Sequence, residues 1–175
     1  LVVAGMMQFY FLGTARFLQD MGVSARNVPG IMGIAQAAQA LATLFLLGLF
    51  FSKLGPKWTL TIGALSWLLL YVAYTIRAPK AVLVASQVFH GLAYVMFMIA
   101  GQMYVNAVAP AEIVGSAQAL IILVTTGIGL FLGTQVAGIV MDRSLVEGKF
   151  NWSKVFLVPL IATAAGVLAL VVVKF

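Results

Sequence analysis

Charged residues are rare in this sequence and divide it into long apolar stretches. The uncharged windows cover residues 1–15, 27–52, 58–76, 81–111, 113–141 and 155–173. A helix that spans a membrane needs about 20 predominantly apolar residues, and every window except the first is close to that length or longer. The pattern predicts an all-α integral membrane protein with six transmembrane helices, at about 1–18, 28–51, 58–76, 81–108, 112–141 and 154–174.

The composition agrees with a membrane protein and limits its partners. Hydrophobic residues make up 63% of the chain and charged residues 8%, whereas a soluble domain has about 45–50% and about 25%. A net charge of +6 would favour nucleic-acid binding in a soluble protein. Here the basic residues lie at helix ends, so we expect contact with the lipid bilayer and no nucleic acid.

The first residues of the chain lie within an apolar run. They read Leu1-Val2-Val3-Ala4-Gly5, without an initiator Met. A signal peptide would have a charged region and a cleavage site of small residues, and neither is seen. We therefore expect a piece of a longer protein.

Two glutamines lie on one face of the second predicted helix. Gln36 and Gln39 are three residues apart, so they are neighbours on the helix surface. Polar side chains inside a bilayer are costly and are candidates for function. Their amides would suit a polar neutral solute. Hydrogen bonds between helices are the alternative, and the sequence leaves both open.

The fourth predicted helix carries a polar and aromatic stripe. It places Gln87, His90, Tyr94, Met98 and Gly101 at spacings of three and four residues. His90 is the single histidine, and histidine can exchange a proton near neutral pH; a buried structural role is the alternative. Tyr94 would stack on a flat ring or pack in the core.

The fifth predicted helix has a face of small residues. Gly129, Gly133 and Ala137 follow one another at intervals of four, a pattern that lets a second helix approach closely. We interpret this face as a packing surface along which one helix can move against another.

The acidic residues give no sign of catalysis or metal binding. Asp20, Glu112, Asp142 and Glu147 are all placed at helix ends or in loops, and there is no cysteine. A hydrolase needs a nucleophile, a base and an orienting group within reach, and a metal site needs clustered ligands. The sequence therefore predicts neither an enzyme nor a metal or cofactor site.

The connection at Gly48–Lys57 has a recognisable form. It reads Gly-Leu-Phe-Phe-Ser-Lys-Leu-Gly-Pro-Lys and resembles the degenerate second copy of the cytoplasmic signature of the major facilitator superfamily. Ser52 stands where the signature has an Asp. The resemblance implies that the chain is the C-terminal half of a major facilitator superfamily fold, its six helices being the seventh to the twelfth.

Three further stretches narrow the resemblance. The segments 34–39 (Ile-Ala-Gln-Ala-Ala-Gln), 90–94 (His-Gly-Leu-Ala-Tyr) and 116–120 (Ser-Ala-Gln-Ala-Leu) are similar to the nucleoside:proton symporter family. By that similarity the family's glutamine on the seventh helix matches Gln8, its Gln-x-x-Glu on the eighth matches Gln36 and Gln39, and its base-stacking aromatic residue matches Tyr94. Gln39 replaces the family's Glu and Val95 its Asp, which removes two titratable groups and leaves proton coupling and the ribose contacts open.

The sequence thus leads to one main hypothesis and two alternatives. The main one is half of a secondary transporter in a bacterial inner membrane, which moves a nucleoside-like solute, with or without protons, by alternating access against the missing N-terminal half. Its cavity residues would be Gln8, Gln36, Gln39, His90 and Tyr94. The alternatives are an uncoupled facilitator or sugar-type transporter, and a membrane scaffold that does not transport.

Overall fold

The computed structural model describes residues 1–173 and is almost entirely helical. Its elements in chain order are α1 (Val2–Asp20), α2 (Val28–Leu41), α3 (Leu47–Thr75), α4 (Lys80–Ala85), α5 (Gln87–Ala93), α6 (Ala100–Val108), α7 (Val114–Ile122), α8 (Leu130–Ser144), β1 (Leu145–Val146), β2 (Lys149–Phe150) and α9 (Trp152–Val172). The two strands pair as an antiparallel hairpin.

Wide π turns join several of these helices into longer segments. They cover Ala42–Leu46, Tyr94–Ile99 and Leu123–Gly129. With them, four helical segments are long and apolar enough to cross a membrane, namely Ala25–Thr75, Lys80–Val108, Val114–Ser144 and Trp152–Val172. The helix α1 is not among the four, because Gln8, Arg16, Gln19 and Asp20 lower its mean hydropathy.

The predicted count of six separate transmembrane helices is not confirmed. Residues 1–173 form five continuous helical segments, since the helices predicted at 28–51 and 58–76 are joined. The expected connection at 52–57 is reduced to a kink, where only Gly55 leaves the helical conformation, with φ 79° and ψ 169°. Such a conformation is essentially restricted to glycine, and Pro56 after it has no N–H to leave unpaired.

Other helix ends differ from the predicted bounds by a few residues. The helix α8 continues to Ser144, and the polar loop expected after residue 141 is shortened by the β-hairpin. The helix α9 begins at Trp152, where the Asn151 side chain accepts a hydrogen bond from the backbone N–H of Lys154 at 3.2 Å. The predicted end of this helix, Lys174, lies outside the described residues.

The core lies where α1, α3 and α9 pack together, and aromatic rings fill one end of it. The ring centroids of Phe17 and Tyr74 are 4.8 Å apart, and that of Phe156 is 4.9 Å from Tyr74 and 5.1 Å from Phe17. Trp152 stacks on Phe156 at 5.7 Å. These buried rings hold the C-terminal ends of α1 and α3 to the start of α9.

At the other end of the bundle, a lysine caps α9. The ammonium of Lys57 donates to the carbonyl oxygens of Val171 at 2.8 Å and Val173 at 2.7 Å. These carbonyls have no partner within the helix, and a cation is favourable at a helix C-terminus. Lys57, two residues after the kink at Gly55, therefore ties α3 to the end of α9.

Candidate functional site

An open polar groove runs along α2 and the π turn that follows it. It is lined by Gln36, Gln39, Ala40, Thr43 and Leu44. Gln36 and Thr43 are exposed and Gln39 is half-buried. Thr43 donates its hydroxyl to the carbonyl oxygen of Gln39 at 2.8 Å. Within residues 1–173 neither glutamine side chain forms a hydrogen bond, so both amides are free to bind a solute.

The helix α5 packs directly on α2 beside this groove. A Cβ atom at Gly91 would meet the carbonyl oxygen of Ala35 and would lie 2.7 Å from the backbone nitrogen of Gln39. Only glycine allows the two backbones to come this close. The contact fixes the position of α5 along α2, next to Gln36 and Gln39.

Tyr94 follows Gly91 by three residues and opens a π turn. It is half-buried and packs against the hydrophobic core. The turn Tyr94–Ile99 widens the helix at this point, and such turns occur often at functional sites. Tyr94 and Gln39 therefore lie on two segments that are in contact.

His90 is placed away from the open groove, in the packed interior. It is 1% exposed and stacks on Tyr10 with ring centroids 3.5 Å apart. Its Nδ1 accepts a hydrogen bond from the indole nitrogen of Trp67 at 3.3 Å. A proton on Nδ1 would place two N–H groups face to face, so this geometry supports a neutral histidine that joins α1, α3 and α5.

Gln87 forms a second buried network one helical turn before His90. Its carbonyl oxygen accepts from the hydroxyl of Tyr10 at 2.8 Å. Its amide nitrogen donates to the hydroxyl of Tyr74 at 2.7 Å and to the carbonyl oxygen of Leu83 at 2.9 Å. The sequence places Gln87 on the same stripe as His90, but the partner residues Tyr10, Tyr74 and Trp67 lie on other helices and were not identified.

Gln8 lies half-buried on α1, and its side chain forms no hydrogen bond within the described residues. Three residues earlier, the same helix contacts α8. A Cβ at Gly5 would lie 2.8 Å from the carbonyl oxygen of Gly129, and a Cβ at Gly133 would meet the carbonyl oxygen of Gly5. Gly129, Gly133 and Ala137 are all buried, and this face of the continuous Val114–Ser144 segment packs against α1.

The residues that line the α2 groove or lie beside it, such as Gln36, Gln39 and Tyr94, offer hydrogen bonds and aromatic surface rather than charge. Asp20, Glu112, Asp142 and Glu147 are all exposed, and they lie at the ends of helices or between them. No three His, Cys, Asp or Glu residues in 1–173 are close enough together to hold a metal ion. The chemistry of the groove therefore suits a neutral polar solute.

Comparison with known proteins gives a consistent result. The family described as "Nucleoside H+ symporter" matches residues 1–175. Nucleoside permease NupG of Escherichia coli is 31% identical over 134 residues, which cover 73% of this chain and 31% of NupG. Xanthosine permease of Escherichia coli is 24% identical over 132 residues, with the same two shares of 73% and 31%.

The fold is also similar to solved structures. A crystal structure of the nucleoside transporter NupG superposes with a TM-score of 0.82 at 25% identity and covers 99% of this chain and 47% of that one. A NupG mutant gives a TM-score of 0.87 at 25% identity and covers 97% and 45%. The chain spans less than half the length of these relatives.

Proposed function

We propose that this chain, which belongs to the nucleoside H⁺ symporter family, forms the C-terminal six-helix half of a secondary transporter for nucleosides. It is a multi-pass integral membrane protein with the fold of the major facilitator superfamily. In the proposal, the kinked Ala25–Thr75 segment counts as two spans and α1 as another. An N-terminal half completes the transporter in a bacterial inner membrane, and solute crosses between the halves by alternating access.

The observation that carries the proposal is the unpaired polar groove of α2. Gln36 is exposed in the middle of an apolar segment, and a polar group facing lipid would cost free energy. The cost disappears when the groove faces water or another part of the protein. Gln36, Gln39 and Thr43 are therefore proposed to line the path of the solute.

The residues near the groove suit the parts of a nucleoside. Amide groups both donate and accept hydrogen bonds, as a neutral base and a ribose require. Tyr94 offers an aromatic ring for stacking on a flat base, and Gln8 offers a further amide from α1. The relatives are named nucleoside and xanthosine permeases, which supports the same solute class.

The glycine faces support the movement that alternating access needs. The contact of Gly5 with Gly129 and Gly133 brings α1 and α8 together without intervening side chains. Such smooth surfaces let one helix shift along another with little side-chain repacking. We assign Gly5, Gly129 and Gly133 to the contact that shifts during transport. We assign a catalytic role to none of the residues.

Proton coupling is supported by the family, but His90 is a poor carrier in this structure. It accepts from Trp67 and is enclosed by aromatic rings. Gln39 and Val95 stand where the family's acids are expected, and the described acidic residues lie at helix ends. We propose that the coupling proton is bound by the N-terminal half. An uncoupled facilitator is the second candidate, favoured by these same replacements.

Uptake of radiolabelled uridine by the full-length protein tests the proposal. Uptake should exceed that of membranes without the protein. Gln36→Ala should raise the half-saturation concentration about fivefold or more, because the bound solute would be left with an unpaired polar group, at a cost of about 1–3 kcal/mol. Leu41→Ala is the control, since Leu41 is also exposed but lines an apolar groove on another face of the helix.

Three results would argue against the assignment. Uptake of hexoses without nucleosides would identify a sugar-type transporter. An unchanged half-saturation in Gln36→Ala would remove that residue from the path. No uptake of any solute would favour the scaffold. Accumulation under an imposed proton gradient separates the two transport candidates, since a facilitator only equilibrates uridine.

A further inference from the structure

A cationic cavity lies at the end of the bundle where α1 and α3 end and α9 begins. Its volume is about 550 Å³, within the range of about 300–1,000 Å³ that is typical of small-molecule sites. Arg16, Arg77 and Lys149 line it together with Asp20, Phe150 and Trp152. It is separate from the glutamine groove of α2, with which it shares no lining residue.

A tight hairpin fixes the position of Lys149. Glu147 and Gly148 form its two-residue turn, with φ of 50° and 76°, as expected for the turn type that matches the twist of paired strands. Val146 pairs with Lys149 and Leu145 with Phe150. The hairpin therefore brings Lys149 into one cavity with Arg77, which follows the C-terminal end of α3.

The single carboxylate that lines the cavity is already bound on both oxygens. The Oδ1 atom of Asp20 accepts from Nε of Arg16 at 3.0 Å. Its Oδ2 accepts from the indole nitrogen of Trp152 at 2.9 Å. Within residues 1–173 the side chains of Arg77 and Lys149 form no ion pair or hydrogen bond. The cavity therefore has two cationic groups without a protein counter-ion.

The surroundings match the headgroup level of a membrane. The cavity lies where the apolar segment Ala25–Thr75 ends and Trp152–Val172 begins, which is where headgroups meet a spanning helix. Phe150 and Trp152, with ring centroids 4.8 Å apart, form an apolar wall of the cavity. Guanidinium and ammonium groups both bind phosphate, the guanidinium with two parallel hydrogen bonds. We propose that this cavity binds the phosphate group of an anionic phospholipid through Arg77 and Lys149, with Arg16 held in place by Asp20.

Thermal unfolding of the purified full-length protein with added phosphatidylglycerol tests this site. Phosphatidylglycerol should raise the unfolding temperature above that seen with zwitterionic phosphatidylcholine. Each of Arg77→Gln and Lys149→Gln should weaken the apparent lipid affinity about fivefold and the double variant about thirtyfold, because a basic residue near an anionic surface contributes about 1 kcal/mol. Lys149→Arg keeps the charge and should retain the response.

Lys154→Gln is the matched control, because Lys154 is exposed on the first turn of α9 and does not line the cavity. A control that loses as much affinity as the double variant would overturn the site. A double variant that responds like the wild type would also overturn it. A measurement with inorganic phosphate distinguishes a lipid phosphate from free phosphate as the ligand. If inorganic phosphate stabilises the protein through Arg77 and Lys149 while phosphatidylglycerol does not, the lipid assignment is wrong. Should the double variant not fold, Lys149→Gln in the exposed hairpin decides alone.

Discussion

Two sets of polar side chains lie within the apolar helices, and their hydrogen bonds separate their roles. Gln87 and His90 are buried, and each bonds to aromatic residues of other helices. The side-chain amides of Gln36 and Gln39 form no hydrogen bond within residues 1–173, although the backbone carbonyl of Gln39 accepts from Thr43. A buried polar group is stable only when it is paired. The first set therefore holds helices together, and the second is available to a solute.

Replacing Trp67 by phenylalanine tests the structural role of His90. Trp67→Phe keeps an aromatic ring but removes the donor to His90 Nδ1, so the free energy of unfolding should fall by about 1–3 kcal/mol. Trp58→Phe on the same helix is the control, because Trp58 is 50% exposed and Trp67 is fully buried. Thermal unfolding of the full-length protein measures the difference.

The pH profile of uridine uptake separates this role from proton transfer. If His90 only joins helices, Trp67→Phe should leave the profile unchanged. A shifted profile, or equal melting temperatures for the two variants, would contradict the structural role.

The stripe of Gln87, His90 and Tyr94 could be predicted because their spacing follows one helix. Its partners could not, because periodicity within one helix does not tell which neighbouring helix faces the stripe. Tyr10 and Trp67 are 80 and 23 positions from His90 along the chain. The sequence therefore left the role of His90 open between proton exchange and a buried structural role. The stacking on Tyr10 and the hydrogen bond from Trp67 favour the structural role.

Helix contacts in this fold depend on glycines at specific positions. Gly63 on α3 lies against the backbone of Met96 and Phe97, where a Cβ would be 2.6 Å from the backbone nitrogen of Phe97. Gly91 and Gly133 make similar contacts with α2 and α1. Three pairs of segments therefore touch through their backbones, and a methyl group at any of these positions would force them apart.

Gly133→Ala should disturb the packing of α1 on α8. The new Cβ would meet the carbonyl oxygen of Gly5, and overpacking costs about 1–3 kcal/mol. Uptake and melting temperature should both fall. Gly138→Ala on the same helix is the control, since no heavy atom lies within 4 Å of its Cβ position. Equal behaviour of the two variants would show that the close contact is unimportant.

The interval of four between Gly129, Gly133 and Ala137 predicted a packing face, but its partner Gly5 was not identified. A spacing pattern marks a smooth surface and does not name the helix that covers it. The connection at 52–57 was also predicted as a break between helices. It has the expected Gly and Pro, yet the hydrogen-bonded helix resumes at once, so only Gly55 marks the change of direction.

At the scale of the whole molecule, the distribution of surfaces agrees with the proposed half of a transporter. Large apolar side chains such as Phe45 and Phe131 are exposed along the helices, at 68% and 64%, as expected where lipid or another bundle covers them. Cationic groups such as Arg77 and Lys149 lie at the ends of helical segments, and the polar groove of α2 lies within the apolar segment Ala25–Thr75. The membrane class and the polar positions follow from sequence alone, whereas the burial of His90 depends on how the helices assemble.

The central claim, that the α2 groove is the path of a nucleoside, is tested most directly by labelling a single cysteine. This chain contains no cysteine, so Gln36→Cys can be placed in a full-length protein whose other cysteines have been removed. The rate of modification by a water-soluble maleimide is measured with uridine, with glucose and without solute. Leu41→Cys, in the apolar groove, is the control. We expect uridine alone to slow modification of Gln36→Cys several-fold and to leave Leu41→Cys unchanged. Equal rates at Gln36→Cys with and without saturating uridine would contradict the account.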